Sequence, residues 1–161
     1  MFEMSKFLIR LIVLLAIFGP IHATNESLRH EDRVEISKLI LRMKITILDR
    51  HGQPVMEEIS VALLIDGRRD LRIENASSKE LPIRFIPKVR QAIKDRCWID
   101  SQTEKSVMGI DIGPFSRNAD GSVSVDAGSS ICFMGSESTT YTFRWNDGKW
   151  VLKNESLKMI I

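Results

Sequence analysis

The stretch TTYTFRWNDGKWVLK (residues 139–153) carries the strongest local signal in the chain. Two runs that alternate apolar and polar residues flank Asp147-Gly148, a pair favoured in two-residue hairpin loops because both central positions need positive φ. Such a loop sets Trp145 opposite Trp150 and Phe143 opposite Leu152, with all four side chains on one face. Thr142, Arg144, Val151 and Lys153 then take the other. A three-residue loop would oppose Trp145 to Lys149 and mix the faces, so turn chemistry and alternation agree on one register. Cross-strand aromatic pairs of this kind contribute roughly 0.2–1 kcal/mol each over an alanine pair.

Upstream of this hairpin, Met108–Ile112, Ser122–Asp126 and Ile131–Met134 also read as strands. Gly113-Pro114, Asp120-Gly121, Ala127-Gly128-Ser129 and Gly135-Ser136 supply turn chemistry between them. Before Ser101 the pattern is helical instead. Glu31, Asp32 and Glu35 lead a segment in which Ile36, Leu39, Ile40, Met43, Ile47 and Leu48 share a helical face, and His51-Gly52-Gln53-Pro54 stops it. The competing reading takes Met43–Ile47 as a strand, since apolar and polar residues alternate there. Pro54 opens a second expected helix, with Glu57 and Glu58 in its first turn and Val55, Ile59, Ala62 and Leu63 on one face. It ends at Ile65-Asp66-Gly67. Leu71–Ile73 reads as a short strand. Ser77 or Ser78 would cap the next segment, with Glu80 placed for a capping box. Pro82 and Pro87 leave Leu81–Ile86 as one short turn or as extended chain. Pro87–Cys97 reads as a further helix, with Val89, Ile93 and Cys97 spaced four apart. The expected fold is therefore α+β, with N-terminal helices packed on a curved antiparallel sheet of about four to five strands. The helices would cover the face holding Phe143, Trp145, Trp150 and Leu152.

Residues 1–23, MFEMSKFLIRLIVLLAIFGPIHA, have the order of a secretory signal peptide. Lys6 and Arg10 precede an apolar core from Leu11 to Phe18, Gly19-Pro20 breaks the helix, and Ala23 offers a small residue for cleavage. The stretch falls short of the about 20 apolar residues that a membrane-spanning helix needs, and it contains an arginine. The expected organisation is a removable signal over 1–23 and a single domain over 24–161, with no stable membrane anchor once the signal is gone.

The whole chain has 161 residues and a net charge of +2, and residues 24–161 keep 21 basic and 20 acidic side chains. That balance gives no electrostatic reason to bind DNA, RNA or an anionic membrane. No internal repeat is present, so a solenoid is excluded. Cys97 and Cys132 are the only cysteines, too few for a disulfide-dense scaffold or a Cys-rich zinc site. In an oxidising compartment they can pair, and closing that loop would stabilise the fold by roughly 3–4 kcal/mol in the chain-entropy model. Two buried free thiols are the alternative. If Cys97 ends a helix and Cys132 sits in a strand, the bridge pins helix to sheet.

The helical first half, the curled sheet and the pattern Tyr141-x-Phe143-x-Trp145-x2-Gly148-x-Trp150 resemble the nuclear-transport-factor-2-like (cystatin-like cone) superfamily over residues 31–157. The resemblance implies a cone-shaped cavity. Its members include enzymes, ligand binders, secretion-system parts and immunity proteins against bacterial toxins, so it leaves function open. Acid–base residues of the superfamily's enzymes would be Asp, Glu or His lining the cone, and no motif places such a residue here.

The remaining residues support little chemistry. His30 and His51 have no second histidine at ligand spacing, so neither indicates a metal. Ser116–Ser122 is similar to a calcium loop at Asn118, Asp120 and Gly121, but Ser116 and Ala127 stand where acids are required, and a hairpin turn is the better reading. No Gly-x-Ser-x-Gly or phosphate-binding loop occurs. Asp66 with Asp70, or Asp111 with Glu137, could act as acid and base if either pair shared a cleft. Arg68, Arg69 and Arg72, and then Arg84, Lys88, Arg90, Lys94 and Arg96, could form a basic stripe for an acidic protein, or simply a solvated face. Asn25, Asn75 and Asn154 head Asn-x-Ser sequons, usable in a eukaryotic secretory pathway.

These readings converge on an exported, non-enzymatic protein, periplasmic in a Gram-negative host, that binds another protein; an immunity-type inhibitor is one specific form. No catalytic residue, metal or cofactor is assigned. The alternative is a small-molecule-binding or hydrolytic cone domain using an Asp/Glu pair. Signal removal makes a direct prediction: the exported product begins at Thr24, and an intact mass that retains residues 1–23 contradicts it.

Overall fold

The computed structural model describes residues 28–46, 58–92, 97–132 and 135–160. One strand in from a margin of the sheet, Ile59–Ile65 forms a strand (β1) rather than part of a helix. β1 pairs in parallel on both sides, with β2 (Ile83–Phe85) through Val61 opposite Phe85 and with β5 (Ser106–Arg117) through Leu63 opposite Ile110. A strand with parallel neighbours and both faces covered is apolar at nearly every position. Its short apolar run therefore has no period that separates strand from helix. Val61, Leu63 and Ile65 enter the main core, while Ala62 packs with Ile86 and Val107 in a smaller one.

From β5 the chain continues antiparallel through β6 (Val123–Ile131), β7 (Gly135–Asn146) and β8 (Lys149–Ile160). The sheet order is β2-β1-β5-β6-β7-β8, and a hairpin of β3 (Val89–Ala92) and β4 (Cys97–Asp100) joins it through β5. Among the described residues, eight strands in a mixed sheet with two helices replace the expected antiparallel sheet of fewer strands under several helices.

Each correction has a local cause. The spacing of Val89, Ile93 and Cys97 is four, which is even, so it fits the period of a strand as well as a helical turn; the chain there forms β3 and β4, with 93–96 outside the described residues. Leu71–Ile73, expected as a strand, opens the helix α2 (Leu71–Ser77). The Asp70 carboxylate accepts from the Arg72 and Ile73 backbone N–H groups at 3.0 and 3.2 Å, a cap that sets the start of the helix. Ser77 closes this helix instead of capping a new one. Leu81–Ile86 is extended and contains β2. Gly113-Pro114 lies within β5 at an irregularity between Ile112 and Phe115, and Ala127-Gly128-Ser129 lies inside β6.

One helical segment is close to expectation. α1 (His30–Ile45) carries Glu31 and Asp32 in its first turn and Arg42 and Lys44 in its last, matching the helix dipole. Its stop signal at His51-Gly52-Gln53-Pro54, like residues 1–23, lies outside the described residues. Ile36, Ile40, Leu41 and Ile45 of α1 share the core with Ile110, Ile112, Val123, Val125, Tyr141 and Phe143 of the sheet. At the start of the helix the buried Asp32 accepts from the Trp150 indole N–H at 3.0 Å. Near its end Lys44, with only 2% of its side chain exposed, donates to Glu137 Oε1 at 2.7 Å. Ser129 Oγ donates to the same carboxylate at 3.0 Å, and Lys44 Nζ lies 5.4 Å from the centre of the Tyr141 ring.

In the β7–β8 turn, Asp147 and Gly148 have φ of 49° and 79°, and Trp145 stands opposite Trp150 and Phe143 opposite Leu152. Phe143 and Trp150 are buried, but Trp145 is 52% and Leu152 42% exposed, so the helices cover only part of the face expected for them. Cys97 opens β4 and Cys132 follows β6; their Cα atoms are 4.8 Å apart and their sulfurs lie at a distance compatible with a disulfide. The pair connects strand to strand, not helix to sheet.

Two measurements check this packing. Denatured, unreduced protein should yield no alkylatable thiol; two modified cysteines contradict the bridge. Glu137→Gln leaves the Lys44 ammonium buried without a counter-charge and should cost about 2–3 kcal/mol, whereas Lys44→Met leaves a carboxylate that water can reach and should cost about 1 kcal/mol or less. The hydrogen bond from Lys44 holds the Glu137 carboxyl below the usual range, against the opposing effect of burial. Its contribution is therefore complete above the ordinary glutamate pKa and is lost as pH falls through the lowered value. Urea unfolding between neutral and acid pH reads both effects.

Candidate functional site

Past Trp150 the last strand loses its cover. Among the described residues six large apolar side chains are exposed, and all but Leu71 lie on β7 and β8: Trp145, Leu152, Leu157, Met159 and Ile160. Among the described residues β8 pairs with β7 alone, and it forms one margin of the sheet. Apolar residues scattered singly over a surface need no explanation, but a cluster along one ribbon marks an interaction surface.

Two irregularities shape this ribbon. The register shifts between Thr142 and Phe143 and between Ser138 and Thr139, which leaves Lys153 and Lys158 as extra residues on β8. Lys153 reaches Asp120 at 2.7 Å and Lys158 reaches both oxygens of Asp126 at 2.8 Å, on the face away from the helices. Hydrogen bonds from these lysines, with further ones from Ser122 to Asp120 and from Thr140 to Asp126, hold the Asp120 carboxyl well below the usual range and lower that of Asp126. Each extra residue also resets the alternation. Leu152 and Leu157 are five positions apart, yet both stand opposite buried residues of the helix side, Phe143 and Thr139. Trp145 completes this strip, its ring 5.5 Å from that of Trp150 in an edge-to-face arrangement.

The other sequence candidates are engaged or separated. Asp66 and Asp70 do line one cleft, but Asp66 is ion-paired with Arg33 and Asp70 caps α2. Asp111 and Glu137 lie on opposite faces of the sheet: Glu137 meets Lys44 of α1, while Asp111 stands between the buried Ile110 and Ile112 and points away. Burial at its base pushes the Asp111 carboxyl up, although much of the residue meets solvent. His30 lies at the start of α1, beside Asp66 and Asp70 in the same cleft. His51 lies outside the described residues.

Three of the basic residues are engaged by acids or hydroxyls. Arg69 makes two 2.7 Å hydrogen bonds to Glu74, Arg84 reaches Ser60 and Glu58, and Arg90 pairs with Glu104. Lys88 and Arg72 are exposed, and Lys94 and Arg96 lie outside the described residues. Of Ser116–Ser122, the first two residues end β5 and the rest form a turn closed by Asn118 N–H to Ser122 O at 2.8 Å and Gly121 N–H to Asn118 O at 3.0 Å. Asn75 and Asn154 are exposed and Asn25 lies outside the described residues. No group of three or more His, Cys, Asp or Glu side chains among the described residues could hold a metal ion, and no helix there is long and apolar enough to cross a membrane.

Sequence reading missed Leu157, Met159 and Ile160 as a surface. The available signal was the uneven spacing of apolar residues after Leu152, which a strictly alternating strand cannot place on one buried face. Compared with models of protein families, with curated proteins and with solved structures, the chain matches none.

Proposed function

We propose that this chain is an exported, non-enzymatic binding protein that engages another protein through the apolar strip of Trp145, Leu152 and Leu157 on β7 and β8. The observation that carries the reading is the gathering on that one ribbon of five of the six large apolar side chains exposed among the described residues. A cysteine pair at disulfide distance suits an oxidising, extracytoplasmic compartment.

The manner of docking derives from the edge itself. Lys149, Lys153 and Lys158 and the two register shifts are devices that discourage a further strand from pairing. The partner therefore meets the helix-side face of the ribbon, with Trp145 as the large, half-exposed anchor. Aromatic anchors of this kind dominate binding energy in protein interfaces. An immunity-type inhibitor, which occludes a surface on a toxin, is one form such a binder takes.

Affinity capture from the envelope fraction of its own host, with a tag on a linker after Ile161, tests the reading. One stoichiometric partner should be recovered with the wild-type chain and depleted at least about tenfold with Trp145→Ala or Leu157→Glu. Both side chains are exposed, so the urea-unfolding midpoint should change little in either variant. Recovery of no partner, or of one that both variants retain, overturns the proposal.

A further inference from the structure

We propose that the face of the sheet away from the helices binds an alkylammonium group beside Asp111. Asp111 on β5, Asp126 on β6 and Asp120 in the turn between them belong to that face. Two of these acids are matched from β8, Asp120 by Lys153 and Asp126 by Lys158. Asp111 makes no hydrogen bond or ion pair among the described residues. Burial at its base pushes its carboxyl up, and no donor opposes that effect. A partly desolvated carboxylate without a counter-charge is a standing deficit that an incoming cation removes.

The strand register leaves room next to this carboxylate. Asp111 stands opposite Gly128 of β6, and Gly128 stands opposite Ser138 of β7. Among the described residues, a Cβ at Gly128 would meet only the Glu137 main-chain oxygen, at 3.3 Å. A gap one residue wide therefore lies between Asp111 and Ser138, with strands about 4.8 Å apart on either side of it. Ser130 is two positions from Gly128 and shares its face. The Trp98 indole and the Ser130 Oγ take the place that a side chain on Gly109 would fill. Gly109 is two positions from Asp111, so the indole borders the carboxylate along β5. On β8, Met159 stands opposite Ser138 and is 50% exposed.

An ammonium supplies the charge that Asp111 lacks, and its three N–H groups suit one carboxylate and the hydroxyls of Ser130 and Ser138. Its alkyl chain has two apolar rests at the borders of the gap, the Trp98 ring and the Met159 side chain. Lys158 does not fill the gap, because its ammonium is held by both oxygens of Asp126. A width of one residue suits a slender primary amine better than a quaternary ammonium. Such a group is carried by a free alkylamine or by a lysine side chain of a protein.

The test is an NMR titration of the purified, isotope-labelled chain with n-butylammonium, using n-butanol and tetramethylammonium as matched probes. Butylammonium should shift the Gly128 and Ser138 amide signals saturably, with a dissociation constant below about 10 mM, which a lone surface ion pair does not reach. Butanol should not saturate, and tetramethylammonium should bind at least about tenfold more weakly. Asp111→Asn should raise the dissociation constant at least about tenfold, while Asp120→Asn, at an acid that Lys153 already matches, should leave it unchanged. Both positions are exposed, so neither substitution disturbs the fold. Tighter binding of Nα-acetyl-lysine amide than of butylammonium assigns the group to a protein lysine, and weaker binding to a free amine. Three results overturn the proposal: no saturation by butylammonium below about 10 mM, unchanged affinity in Asp111→Asn, or either matched probe binding as tightly as butylammonium.

Discussion

The hydrogen bond from the Trp150 indole to the Asp32 carboxylate joins the first turn of α1 to the last strand, 118 residues away. Burial works to raise the Asp32 carboxyl, but hydrogen bonds from Arg29 and Trp150 outweigh it and keep the group below the usual range. A buried carboxylate is tolerated only where such donors converge, so this contact sets where the helix can lie. The neighbouring Arg33 reaches the other way, to Asp66 after β1 and to Phe115 on β5. One helical turn therefore touches both the parallel and the antiparallel halves of the sheet. At the far end of α1, Lys44 repeats the arrangement with Glu137.

The surfaces derive from that placement. With α1 held over Tyr141 and Phe143, its apolar face has no reach left for Leu152 and Leu157 on the next strand. The bulges on β8 make the exposure ordered: two lysines turn to the acids of the opposite face, and the leucines stay together. The same first turn closes the cleft beside β1, so the apolar ribbon and the charged cleft lie at different places on the sheet but depend on one helix.

Several features are legible in the residues. The Asp147-Gly148 turn and the register beside it arise from local chemistry, because two residues at positive φ admit few side chains. The helix at residues 30–45 arises from its periodicity and charge gradient, and the approach of Cys97 to Cys132 accords with their being the only cysteines. The resemblance to a cone fold rests on element order and on the aromatic hairpin pattern; of that order, the helices expected from Pro54 and over Pro87–Cys97 are strands in their described parts. Asp70 reads in the sequence as half of an acid–base pair, whereas its side chain serves as a helix cap.

What residue order settles here is local: turn type, the face of α1 and the charge gradient along it all depend on neighbours a few positions apart. Whether Ile59–Ile65 is helix or strand is not local, because an apolar run without period takes its form from the parallel partners Ile83–Phe85 and Met108–Ile112 that flank it. Whether Leu157 is core or surface depends likewise on the width of sheet that one 16-residue helix can cover. Both outcomes are set by long-range pairing and burial, which a window of sequence does not contain.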